Sequence, residues 1–195
     1  MTKTEIAVLL NENFYERFAQ KVRDIIIEKR SVKELFLLLD DLIKGTIPDN
    51  EYYGIKKNLS RTEFRAAYVL DNVYFFDNKY FNEYYELFFD IFPFIKNGST
   101  KRHFAKIAAN ILIENVYQIE KSKKEIIAGT CLDWVASPKV KVAVKVWAVE
   151  VLIVLKEEFE WIDDALRELL YDLSLNPTPG IKVRLKKWKN IISFS

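Results

Sequence analysis

The chain has one cysteine, Cys131, and one histidine, His103, in 195 residues. A single thiol excludes an intramolecular disulfide and leaves too few soft ligands for a Cys/His zinc cluster. Glycine and proline are scarce as well, five of each, and most fall between apolar-periodic segments. β architectures need such residues at their many turns, so this scarcity points to helices joined by short connections. Long hydrophobic runs are missing: the longest, around 147–155, is interrupted by Glu150 and is too short for a bilayer span. The first eighteen residues carry Glu5, Glu12 and Glu16 and lack the basic-then-apolar order of a signal peptide, so a cytoplasmic protein with no membrane association is expected. Neither charge sign dominates. Thirty basic and 28 acidic side chains leave a net charge of +2, less than a dedicated nucleic-acid binder usually carries.

Half of the residues are apolar and 30% are charged, which suits a packed core rather than disorder. Ser60, Ser99, Ser137 and Thr178 each precede an apolar-periodic stretch, at intervals of 39, 38 and 41 residues. A period near forty predicts stacked helical pairs. Ser60 with Glu63 reads as a capping box. Ser137-Pro138 and Thr178-Pro179 each read as a cap followed by proline at the first helical position. Helices are expected from Ser60, over 79–92, from Ser99, and over 123–136, 138–157, 161–173 and 179–192. The first 59 residues fit the period less well. Helices near 14–29 and 31–44 (Ser31 with Glu34 as a second box) form a leading pair, and 45–59 is partly loop, with Tyr52 and Tyr53 packing back on the core. The expected fold is all-α, an α-α superhelix of about four to five antiparallel pairs. It forms one domain over 1–195, irregular over 1–59 and repeating over 60–195.

The residues after each cap sharpen this picture. RTEFRAAYVL (61–70), KRHFAKIAANIL (101–112), PKVKVAVKVWAVEVL (138–152) and PGIKVRLKKW (179–188) each place a basic residue early, then small and apolar ones. This resembles the first helix of HEAT or armadillo-type repeats. The resemblance implies that an early cation bonds to neighbouring turns, with Arg65, Arg102, Lys141 and Lys182 as the matching positions within one residue of register. The last copy departs most, with Lys186, Lys187 and Lys189 at expected apolar positions. The whole chain also resembles small HEAT-like bacterial proteins that have inherited the label adenylosuccinate lyase. That activity is not expected here, because such lyases are far longer and carry a serine-rich signature loop and several catalytic histidines.

Groups that could carry chemistry are few. An imidazole can serve as a general base or metal ligand, the functional reading of His103, but Lys101 and Arg102 adjoin it, and a structural histidine near a helix start is the expectation. Cys131, in IIAGTCLDWV, is expected to be a small buried residue rather than a nucleophile. Asp40-Asp41 and Asp163-Asp164 are adjacent on helices and therefore diverge by about 100°. No phosphate-loop, dinucleotide-binding, zinc-protease or serine-hydrolase motif occurs. No catalytic residue, metal or cofactor is assigned.

Two features are more unusual. Residues 74–94 hold 11 aromatic side chains, in two neighbouring stripes wider than one packing seam. Most should be core, with Tyr84 and Tyr85 the exceptions that face a groove and receive a peptide or a stacked base. Charge is also polarised near the end of the chain. Residues 157–172 carry a net −6 and residues 176–195 a net +5. Lys182, Lys186 and Lys189 share one helical face, which would contact phosphates or simply neutralise the acidic helix before it. The leading expectation is a non-enzymatic solenoid binding a protein or peptide partner. The alternative is a nucleic-acid binder similar to the HEAT-like glycosylases of alkylated DNA, and the third is an enzyme using His103 or Cys131.

Overall fold

A computed structural model describes residues 1–47 and 58–192. Most of the expected 45–59 loop, with Tyr52 and Tyr53, lies outside the described residues. The all-α class is borne out: the described residues hold ten α-helices and no strand. They are α1 (Lys3–Asn11), α2 (Phe18–Glu28), α3 (Val32–Lys44), α4 (Leu59–Phe76), α5 (Tyr85–Ile91), α6 (Gly98–Glu114), α7 (Lys121–Ala136), α8 (Val142–Leu155), α9 (Glu160–Leu175) and α10 (Pro179–Lys189). The chain divides into two compact units, Met1–Phe104 and Ala105–Ser195.

In the first unit α4 packs on α1, α2 and α3, and α3 packs on α1 and α5. Helix α1 had no counterpart in the sequence expectation, yet Thr2 and Glu5 form the reciprocal capping box that nucleates it. Two expected caps are corrected. Ser60 lies inside the first turn of α4, whose N-cap position is Asn58, and so forms no box with Glu63. Asn97, not Ser99, caps α6: its side-chain oxygen accepts from the Ser99 N–H at 2.9 Å. The Asn97 amide nitrogen donates to the carbonyl and hydroxyl of Ser60 at 2.9 and 3.0 Å, tying the starts of α4 and α6 together. Ser31 precedes α3 as expected, but its hydroxyl donates to the Lys29 carbonyl and accepts from the Met1 ammonium, so it makes no cap bond.

The aromatic segment is not the single helix expected over 79–92. A 3-10 turn covers Asn78–Phe81, α5 follows, and a second 3-10 turn covers Phe92–Phe94. A straight helix could not turn both aromatic stripes inward. The broken path buries Phe81, Tyr85, Phe88 and Phe92 and leaves Tyr80 and Tyr84 half-buried. Phe88 stacks on Phe104 with centroids 4.6 Å apart, and Phe36 meets Phe81 edge-on at 5.0 Å.

The core of the second unit is largely aliphatic. Helix α8 packs on α7, α9 and α10, and contributes Val144, Val149, Leu152 and Leu155 to the interior. The Ser137-Pro138 cap is corrected here. Ser137 is the C-cap of α7, its carbonyl accepts from the Val140 N–H in a turn around Pro138, and α8 starts only at Val142. Thr178 does precede α10 with Pro179 at the first position, although its hydroxyl bonds no first-turn N–H.

The helices that follow the expected caps therefore open at residues 59, 98, 142 and 179, in steps of 39, 44 and 37. Burial repeats more closely than the caps do. A shift of 38 residues carries the buried positions of α4 onto those of α6: Thr62 to Thr100, Arg65 to His103, Ala67 to Ala105 and Val73 to Ile111. In the second unit a shift of 37 carries Val144, Ala148, Val151 and Leu155 onto Ile181, Leu185, Trp188 and Ile192.

Candidate functional site: a tyrosine-walled cleft

Helix α2 ends in a hydrogen-bond pattern that sets up the first unit's most distinctive surface. The Ser31 N–H donates to the Ile26 carbonyl at 2.9 Å and the Arg30 N–H to the Ile27 carbonyl at 3.0 Å. This is a Schellman motif, and it forces its C′ residue, Arg30, to a left-handed φ of 51°. The same left-handed conformation falls to Gly45 at the end of α3 and to Asn115 after α6, both residues suited to it, and before α2 to a second arginine, Arg17, at φ 58°. An arginine there costs about 1 kcal/mol or more of backbone strain.

Arg30 opens onto a cleft of about 360 Å³ with Ile27 and Val32 beside it. The other wall comes from the 3-10 turn before α5 and the residues after it: Lys79, Tyr80, Asn82, Glu83 and Tyr84. Tyr84 rests on Phe36, ring centroids 5.0 Å apart, and its hydroxyl reaches Glu83 Oε2 at a long 3.5 Å. Burial foremost, then the charge of Glu83 and its hydrogen bond, then the charge of Glu34, hold the Tyr84 phenol above its ordinary value. It therefore remains a neutral hydrogen-bond donor. Among the described residues, neither Arg30 nor Lys79 forms an ion pair.

The two tyrosines singled out by sequence part company. Tyr84 lines the cleft, whereas Tyr85 is only 3% exposed and packs toward Phe81 at 6.0 Å, with burial raising its phenol. Its side chain is core and is not available to a partner. Lys182, Lys186 and Lys189 are exposed on α10 in the second unit. The cations of that helix that turn inward are Arg184 and Lys187, which meet the buried Glu150 of α8 at 3.5 and 2.7 Å, and Trp188 Nε1 donates to the same carboxylate at 3.1 Å. Glu150 of α8 thus answers two cations of α10. On α9, Asp163 pairs with Lys156 and Arg167 instead.

Of the four early cations, Arg65 bonds to a neighbouring turn: its Nη1 donates to the Leu10 and Glu12 carbonyls at 2.7 and 2.8 Å, at the end of α1. Arg102, Lys141 and Lys182 are exposed. The residue that shares Arg65's place in the burial pattern is His103, one position beyond Arg102. Its Nδ1 lies 2.7 Å from Asp71 Oδ2, and its ring sits beside Phe64 and Tyr68. His103 is 5% exposed and Asp71 6%, so the pair is enclosed by core side chains. Cys131 is fully buried, and burial drives its thiol far above its ordinary value, which removes the thiolate a nucleophile needs. Asp40 and Asp41 turn to different cations, Lys44 and Lys3. No group of three or more metal-ligating side chains occurs among the described residues.

Sequence reasoning missed Arg30 and Lys79. Neither belongs to a motif, and the left-handed turn that fixes Arg30 is visible only in the hydrogen bonds around it. Comparison with family models, with curated proteins and with solved structures found no match.

Proposed function

We propose that the chain is a non-enzymatic, cytoplasmic α-solenoid module of the HEAT or armadillo type that binds a protein or peptide partner. The observation that carries this reading is the cleft at Tyr80 and Tyr84, which combines half-buried rings with the uncommitted cations Arg30 and Lys79. The residues best suited to chemistry argue the same way by their placement, since His103 is engaged with Asp71 and Cys131 is buried. The repeated burial register and Arg65's bonds to the end of α1 support the solenoid arrangement. That no helix among the described residues is long and apolar enough to cross a membrane is compatible with it. Recovery of a stoichiometric protein on the immobilised chain, lost on Tyr84→Ala, is the expected result. A partner that never appears, or one indifferent to Tyr84, would count against the reading.

A second reading, nucleic-acid binding, draws on the exposed Lys182, Lys186 and Lys189 of α10. It requires duplex DNA binding that weakens steeply as salt rises. Absence of binding at low salt would remove it.

A further inference from the structure

We infer that the occupant of the Tyr80/Tyr84 cleft is an acidic peptide segment. A carboxylate side chain would be met by Arg30 and Lys79, and an adjacent apolar side chain would lie against the two tyrosines. This deepens the interaction-module reading and rests on it. Charge is the first argument: two cations line one small cleft, and neither is answered by an acid among the described residues. Strain is the second. The C′ position of α2 imposes a φ of 51°, which glycine would adopt freely, yet the chain holds a guanidinium there at the mouth of the cleft. Third, Ser31 spends its hydroxyl on Lys29 and Met1 and makes no cap bond to α3, so the positive end of that 13-residue helix has no side-chain cap beside Val32 and only Glu34 as an acid in its first turn.

The shape and remaining charges narrow the ligand. At about 360 Å³ the cleft lies at the small end of ligand sites, suited to an anchoring side chain and its neighbour. Glu83 lines the same wall, and Glu34 is close enough to act on Tyr84. A phosphodiester chain with a charge at every step would meet both carboxylates. A single carboxylate flanked by apolar groups presents one charge, to Arg30 on one wall and Lys79 on the other, and this separates an acidic peptide from a nucleic acid.

The test uses the full chain and fluorescence anisotropy with short dye-labelled peptides. These share one Leu-Phe anchor and carry a single flanking Glu, Gln or Lys, with a labelled single-stranded oligonucleotide alongside. The acidic peptide is expected to bind about ten-fold or more tighter than the neutral one. Arg30→Gly should remove most of that preference without lowering the melting temperature, because it relieves the left-handed strain. Lys79→Glu should shift the preference toward the Lys-flanked peptide. Equal binding of acidic and neutral peptides, still lost on Tyr84→Ala, would overturn the acidic assignment and leave the interaction module standing. Failure of every peptide to bind, displacement of the peptide by the oligonucleotide, or an Arg30→Gly variant with unchanged selectivity would each overturn it too. Partner recovery on the immobilised chain reports on the broader reading separately.

Discussion

Arg65 in the first unit and Glu150 in the second are both buried ions, 7% and 4% exposed, but they are satisfied by different kinds of atom. Arg65 gives its hydrogen bonds to two backbone carbonyls, and its guanidinium lies over the rings of Phe14 and Phe18 at 5.3 and 5.1 Å. Glu150 takes its bonds from side chains, Lys187 and Trp188, with Arg184 close by. Carbonyls at a helix end cannot rotate away to water when their partner is lost, so the Leu10 and Glu12 carbonyls depend on Arg65, although Asn11 also ties the last turn of α1 to Thr62 and Arg61. The cations around Glu150 can: Lys187 and Arg184 are 52% and 37% exposed and would rehydrate if released. One unit thus satisfies two main-chain carbonyls through a single donor. The other spreads a similar task over several replaceable ones.

The largest effect should follow from breaking the first arrangement. Arg65→Met keeps the bulk over Phe14 and Phe18 but strands the Leu10 and Glu12 carbonyls, and should cost about 3 kcal/mol in denaturant unfolding. Glu150→Gln should cost less, about 1 kcal/mol, because the amide oxygen still accepts from Trp188 while the lysine and arginine return to solvent. If Glu150→Gln proved the more damaging of the two, the contrast between backbone and side-chain partners would be wrong. Glu63 tests the contrast from a third side, being a half-buried carboxylate without an ion pair among the described residues. Burial raises its pKa above the ordinary value and the nearby Thr100 hydroxyl offsets only part of that. The folded state therefore holds its proton more tightly than the unfolded state does. Stability should fall as pH rises from the ordinary carboxylate range through the raised folded value. Glu63→Gln should remove that fall and be the more stable form at neutral pH, by less than about 1 kcal/mol, with the gap closing in acid. Paired melts across the acid range would show it, and a variant equally or less stable at pH 7 would refute it.

Much of the fold was legible in the residues, and the errors have physical causes. Helix existence followed from apolar periodicity, and the spacing near forty persisted although three of its four markers moved. Serine and asparagine cap helices about equally well, so sequence alone could not choose Asn97 over Ser99, and Asn58 takes the N-cap position of α4 without a side-chain bond that would mark it. Proline after Ser137 fits a turn as readily as a helix start, and the turn prevailed. The Thr2-x-x-Glu5 box that opens α1 is itself a sequence signal for a helix start. The site was legible only in half. Two aromatic stripes on a short segment promised that some ring would face outward, but periodicity could not say that Tyr84 does while Tyr85 does not. Arg30 left no trace at all, because its position depends on which carbonyls the last turn of α2 leaves open.

Asn97 carries a consequence for how the molecule ages. It precedes Gly98, the pairing in which an asparagine side chain most readily cyclises onto the next backbone nitrogen and loses ammonia. In the folded chain its oxygen caps α6 and its nitrogen is tied to Ser60. Where the ring reopens to aspartate the oxygen is kept, so the start of α6 keeps its cap, now with a negative charge at a helix N-terminus; where it reopens to isoaspartate, the main chain gains a carbon at the cap and that geometry is lost. Both routes remove the nitrogen, so the tie to the start of α4 would be lost. Chemical wear at this one residue would therefore release the start of α4 in either case, and would spare α6, the helix it caps, only where aspartate is the product.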